Sequence, residues 1–168
     1  VLTIETEDCI MNEDRISMEL KLPHISQVVV NGSGSVKTKA PFVSTGAGLE
    51  LTVRGSGDIV VAHPSNSAVL EESGSGNINF TPDGLTPLQA SIKGDGNITV
   101  NGGNGNLDAS ITGSGNFNAV NYVAENAAVN ISGSGDACVQ VTQNLNVTVL
   151  AEGWIWKKTA EASYYIRQ

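Results

Sequence analysis

The chain is poor in almost everything that chemistry at a protein site usually needs. It has two His and two Cys in 168 residues, nine Lys and Arg against seventeen Asp and Glu, and 5% aromatic residues. No stretch of eighteen apolar residues occurs, so no segment reads as a membrane-spanning helix. A formal charge of −8 with scattered cations lacks the basic footprint that a phosphate backbone requires, which argues against nucleic acid as a partner. Cys9 and Cys138 stand far apart without metal-ligand spacing, so two unrelated thiols are expected rather than a bridge. No nucleophile motif, phosphate loop or metal cluster is present, and no cofactor is expected. No helical apolar period persists.

What the chain has is repetition. A Gly-x-Gly triplet, followed by a small polar residue and an apolar one, begins at Gly32, Gly55, Gly74, Gly94, Gly113 and Gly133, at spacings of 23, 19, 20, 19 and 20. A worn copy follows at Ala151-Glu152-Gly153. A period of this size marks stacked supersecondary units, none of which can bury its own apolar face alone. We expect one domain over 1–168, with N-terminal strands or a cap at 1–24, regular repeats at 25–150 and a degenerate closing coil at 151–168.

Alternation inside each copy defines its parts. Leu49, Leu51 and Val53 lead into Gly55, Leu88, Ala90 and Ile92 into Gly94, and Leu145, Val147 and Val149 into Ala151, with polar residues between them. Beyond the triplet, pairs such as Ile59 and Val61, Ile78 and Phe80, or Ile98 and Val100 open a second strand. Period two is the mark of a strand with one wet face. Each copy therefore reads as strand, glycine corner, strand and a looser polar connection.

The first and second glycines of the corners are Gly32 and Gly34, Gly55 and Gly57, Gly74 and Gly76, Gly94 and Gly96, Gly113 and Gly115, and Gly133 and Gly135. They permit positive φ and close backbone approach. One small polar residue follows each corner: Ser35, Asp58, Asn77, Asn97, Asn116 and Asp136. Stacked coils would place these above one another at about 4.8 Å as an amide ladder, with three Asn separating the two Asp. The architecture expected is an all-β parallel β-helix of about twenty-residue coils. The rival, with every triplet a hairpin tip in an antiparallel prism or propeller, suits a three-residue Gly-x-Gly less well. The segments Leu2 to Thr6 and Ile16 to Leu22 are expected to cap one end, and the worn copy the other.

The phrases Val30-Asn31-Gly32-Ser33-Gly34, Arg54-Gly55-Ser56-Gly57-Asp58-Ile59, Ser73-Gly74-Ser75-Gly76-Asn77-Ile78 and Ser132-Gly133-Ser134-Gly135-Asp136 resemble the repeated signature of the head GIN domain family. The resemblance runs from about Leu20 to Lys157 and includes Leu22-Pro23-His24-Ile25. It implies a parallel β-helix in an exported bacterial protein, and an adhesin as its function. Two departures stand out: the last copy has lost its first glycine and its Asx, and the N-terminal part is short. Val1 opens inside an alternating stretch without Met, so a leader or N-terminal part is expected to have preceded it.

Candidate sites are few. The Gly-Ser-Gly-Asp copies look like the calcium repeats of RTX toxins, but those recur every nine residues or so, and Asp58 and Asp136 would stand roughly 19 Å apart. Asp95 and Asp108 lack a predictable His, Arg or acid beside them, and His24 and His63 flank prolines as surface residues do. Glu72 falls in an inward slot where other copies carry Val or Ile. A bare carboxylate there is costly, so a bulge or strand slip turning it outward is expected, a partner cation in the next coil being the alternative. Trp154 and Trp156 should share an outer face next to Lys157 and Lys158, under a lid formed by the strand Ala162 to Ile166 unless they are the contact for a ligand. The leading expectation is a non-enzymatic adhesin for a glycan or cell-surface protein at the bacterial envelope. The alternatives are a structural protein that assembles through its coil ends and a carbohydrate-active enzyme.

Overall fold

The computed structural model describes residues 17–39, 48–63, 65–150, 152–159 and 163–166. These residues form thirteen strands: β1 (Gln27–Gly32), β2 (Ser35–Lys37), β3 (Leu49–Gly55), β4 (Asp58–His63), β5 (Ala68–Gly74), β6 (Asn77–Pro82), β7 (Leu88–Ile92), β8 (Asn97–Val100), β9 (Asn104–Ile111), β10 (Phe117–Ile131), β11 (Ala137–Val149), β12 (Ile155–Lys158) and β13 (Ser163–Ile166). They wind into a parallel β-solenoid. One face stacks β1, β3, β5, β7 and β9 and then the second halves of β10 and β11. The other stacks β2, β4, β6 and β8, the first halves of β10 and β11, and β12. Every pairing is parallel except β12 with β13, which rules out the hairpin prism.

Period-two alternation carries straight into burial. In β6 the apolar Ile78 and Phe80 point inward while Asn77 and Asn79 point to solvent, and β9 alternates in the same way. The inward residues of all coils merge into one core that holds Leu51, Val53, Ile59, Leu70, Ile98, Phe117 and Val139. Leu145 and Val147, at the end of the stack, are only partly buried, because no described strand covers β11 there.

The corners depend on space more than on dihedral angle. Among the first glycines, Gly32, Gly55 and Gly113 have positive φ, whereas Gly74, Gly94 and Gly133 do not. A Cβ on Gly74, Gly94 or Gly133 would nonetheless come within 3.0 Å of the carbonyl oxygen of the first glycine one coil below. A Cβ on the second glycines Gly57, Gly76, Gly96, Gly115 or Gly135 would likewise meet the second glycine's carbonyl below. Two columns of missing side chains let the corners nest and let backbone bonds such as Gly76 N to Gly55 O (3.0 Å) and Ser134 N to Gly113 O (2.9 Å) form.

Four expectations need correction or fall elsewhere. Residues 17–22 form no strand and lie exposed, since Met18, Leu20 and Leu22 find no coil to pack on among the described residues. Residues 1–16, with Leu2 to Thr6 and Cys9, lie outside the described residues, as does Ala151. In the later coils the polar connection is not loose: β10 and β11 run on from one face to the other, bending at register shifts between Ala119 and Val123 and between Ala124 and Asn126. Nor does the closing strand lie over the tryptophans. The described part of it, β13, pairs edge to edge with β12, setting Trp156 opposite Tyr165 in register.

Glu72 is the fourth. It keeps strict register between Val53 and Ile92, with no bulge, and its side chain is 1% exposed. Among the described residues no cation pairs with it, and neither carboxylate oxygen makes a hydrogen bond of ordinary geometry. It fills the place beneath Gly96 that Val53 and Ile92 fill beneath Gly76 and Gly115.

Candidate binding face

The small polar residues after each corner form a column joined by side-chain bonds. Asp58 Oδ1 accepts both the backbone N–H (3.0 Å) and the Nδ2–H (2.9 Å) of Asn77. Asn97 Nδ2 donates to Asn77 Oδ1 at 3.0 Å, and Asn97 Oδ1 accepts the N–H and Nδ2–H of Asn116, both at 3.1 Å. Asn116 Oδ1 then accepts Asp136 N–H at 3.0 Å, and Asp136 Oδ1 accepts Trp154 N–H at 2.9 Å. The polarity is uniform: each side-chain oxygen takes a donor from the coil above. At the corner the backbone leaves its ladder, and these oxygens satisfy N–H groups that would otherwise lack a protein acceptor. Asp serves at 58 and 136 because both positions only accept. Ser35 stands in register with Asp58 at the column's start.

Two further ladders escaped the sequence reading. Asn79, Asn101 and Asn121 are joined by Nδ2–H to Oδ1 bonds of 3.2 and 3.3 Å, and Asn106, Asn126 and Asn144 by bonds of 3.2 and 2.9 Å. Their only sequence signal is an Asn near the connection of each copy, out of phase with the glycine motif.

The register brings together two features that look unrelated in the sequence. Trp154 follows Asp136 in the Asx column, and Trp156 follows Val60, Asn79, Thr99, Asn118 and Cys138 in the neighbouring column. The aromatic pair is therefore the upper end of the amide face. Trp154 is 43% exposed; Trp156 is half-buried, with an unpaired indole N–H. Lys158, in register with Gln140, lies on the same side, whereas Lys157 follows Val139 in the inward column and is parted from the tryptophans. Between the two ends the paired columns carry no cation, and only Asp58 and Asp136 carry charge. A shallow depression of about 420 Å³ lies over Asp58, Asn77, Asn79, Asn97 and Thr99. Cys138 sits half-buried in this face, its thiol pushed up by burial and by Asp136.

The remaining candidates do not converge. Asp95 and Asp108 are exposed on different coils, His24 is exposed, and the His63 side chain lies outside the described residues. Among the described residues no three His, Cys, Asp or Glu side chains gather. Behind the core, Tyr122 is fully buried and donates to Thr86 O at 2.8 Å, and Gly105 leaves it room. Burial raises its phenol well above its ordinary value.

The parallel β-solenoid turns an almost uncharged, amide-lined face to solvent, with side chains held at fixed spacing by the ladders. Over residues 1–158 the sequence matches the family described as putative auto-transporter adhesin, head GIN domain, and the chain belongs to that family. The match covers the N-terminal part as well as the repeats. No curated protein and no solved structure matches the chain. Among the described residues no helix is long and apolar enough to cross a membrane.

Proposed function

We propose that the chain is a non-enzymatic exported adhesin that binds a glycan or a surface protein at the bacterial cell envelope through the face that runs from Asp58 to Trp154. The observation that carries this reading is the continuity of the Asx column into the tryptophans. Five coil steps extend it over roughly 24 Å, long enough for several sugar rings. Amides give and take hydrogen bonds with hydroxyls, and an indole offers its ring to an apolar sugar face. The ladders fix those amides before any ligand arrives, so little side-chain entropy remains to be lost on binding. The family's description agrees with an exported protein that meets surface partners.

The test is a glycan array probed with the purified chain and with Asn77→Ala/Asn97→Ala/Trp154→Ala. The expected result is a defined set of glycans retained by the parent and lost by the variant. Equal retention by both would refute the face as the binding surface.

Self-assembly through the coil ends has one observation in its favour. Along Asn144–Val149 the outer edge of β11 has no described partner strand, and Leu150 beside it is 77% exposed. An unpaired edge of this kind templates further strands. Light scattering separates the readings: a size that grows with concentration favours assembly, a constant monomer favours adhesion.

A further inference from the structure

The opposite face carries a feature that the amide surface does not explain. Between residues 40 and 150 the only Lys or Arg in the sequence are Arg54 and Lys93, and both fall in one outward column with Ser73 between them. Two strand spacings, about 9.6 Å, separate their backbones. Both side chains are long enough to converge over Ser73, which is too short to fill the space between them. Beside this column Thr52, Glu71 and Ser91 stand in register. These six residues, with the buried Glu72 beneath them, line a small cleft of about 150 Å³.

Three properties make the cleft unlike the rest of the solenoid surface. Among the described residues neither Arg54 nor Lys93 forms an ion pair, although Glu71 lies diagonal to both. Thr52 on the floor is 2% exposed and its hydroxyl has no hydrogen-bond partner, an unmet need that native surfaces seldom leave. Two cations stand against the Glu71 carboxylate and the Glu72 carboxyl, which burial holds toward its neutral form, so the cleft carries a local charge of at most about +1 within a chain of formal charge −8.

We propose that this cleft binds the carboxylate of an acidic sugar, with Arg54 and Lys93 on the carboxylate and Glu71, Ser73 and Ser91 on neighbouring ring hydroxyls. A guanidinium offers two parallel donors that match a carboxylate, and an ammonium adds a third. A positive surplus of at most one charge suits a monoanionic group better than a polyanion, which the acidic chain as a whole repels. Glu71, left unpaired, accepts from sugar hydroxyls where a second anion would be rejected. This inference deepens the adhesin reading and rests on it: the acidic residue of a glycan becomes a second point of attachment, on the face away from the tryptophans.

The experiment is titration calorimetry of the full chain with a panel of uronic and sialylated oligosaccharides, each paired with its methyl ester, together with sodium sulfate. Arg54 and Lys93 are exposed, so Arg54→Gln and Lys93→Gln should melt with the parent. The expected result is that at least one acidic glycan binds about tenfold or more tightly than its ester, and that each variant loses about that factor. Asn97→Ala/Trp154→Ala should retain the preference for the acid. Equal binding of acid and ester across the panel would overturn the proposal, as would competition by sulfate equal to that of the best glycan. Loss of acidic-glycan binding in Asn97→Ala/Trp154→Ala, with Arg54→Gln and Lys93→Gln unaffected, would also overturn it while leaving the adhesin reading intact.

Discussion

Glu72 shows how one residue can be tolerated in a slot built for another. Burial raises its carboxyl above the ordinary 4.5, the Gly74 backbone offsets part of the rise, Asp95 adds to it, and the Gly96 backbone offsets a little more. The folded chain thus keeps a proton that the unfolded chain releases above about pH 4.5, so this contribution is complete below that pH and is lost as pH climbs through the window above it. Glu72→Gln should flatten that decline. Glu72→Val, which restores the apolar column, should add about 1–3 kcal/mol near neutral pH. Urea unfolding of parent and variants near pH 4.5 and pH 7.5 is the check, and a less stable Glu72→Val at the higher pH would contradict the burial. The glycines give a second residue-scale contrast. A Cβ on Gly76 meets the Gly57 carbonyl, whereas one on Gly34 meets nothing within 4 Å. Gly76→Ala should therefore cost upwards of about 3 kcal/mol and Gly34→Ala within about 0.5 kcal/mol, although both occupy the same place in the motif. Thermal melts decide this, and equal costs would contradict the close approach of Gly76 to the coil below.

At the scale of strands and corners, the ladders hold the coils in register where backbone pairing lapses. Asn97 donates to Asn77 and accepts from Asn116, so Asn97→Ala removes three bonds and should cost about 1–2 kcal/mol. The Asp136 side chain only accepts, from the Trp154 N–H, so Asp136→Asn should stay within about 0.5 kcal/mol. Denaturant midpoints compare the two, and a larger loss for Asp136→Asn would refute the one-way polarity. This is also the level at which the sequence was most legible. Period two gave the strands and their inward faces, and the repeated Gly-x-Gly gave corners in file, because both are local constraints repeated at fixed spacing. The side of Glu72 was misjudged because charge argued for an outward turn while the register of Val53 and Ile92 held it inward. The ladders through Asn101 and Asn126 were missed because connections of unequal length shift them against the motif. Trp154 was not recognised as a rung because its place in the column is filled through its backbone N–H rather than a polar side chain.

For the molecule as a whole, parallel stacking converts repeated short phrases into two long, stiff faces with different chemistry. One is amide-rich and ends in the tryptophans; the other carries the Arg54, Ser73 and Lys93 column. Contacts run from coil to coil, so a substitution that lifts one corner should weaken both faces near it, as expected of a stack stabilised by nearest neighbours. The most direct test of the central claim uses the fact that both tryptophans of the chain, Trp154 and Trp156, belong to the amide face. Intrinsic fluorescence is followed while a glycan retained on the array is added to the parent chain and to Asn77→Ala/Asn97→Ala. The account expects a saturable change in the parent that moves to about tenfold or higher ligand concentration in the variant. Full binding of that glycan with unchanged fluorescence and no effect of the variant would contradict it.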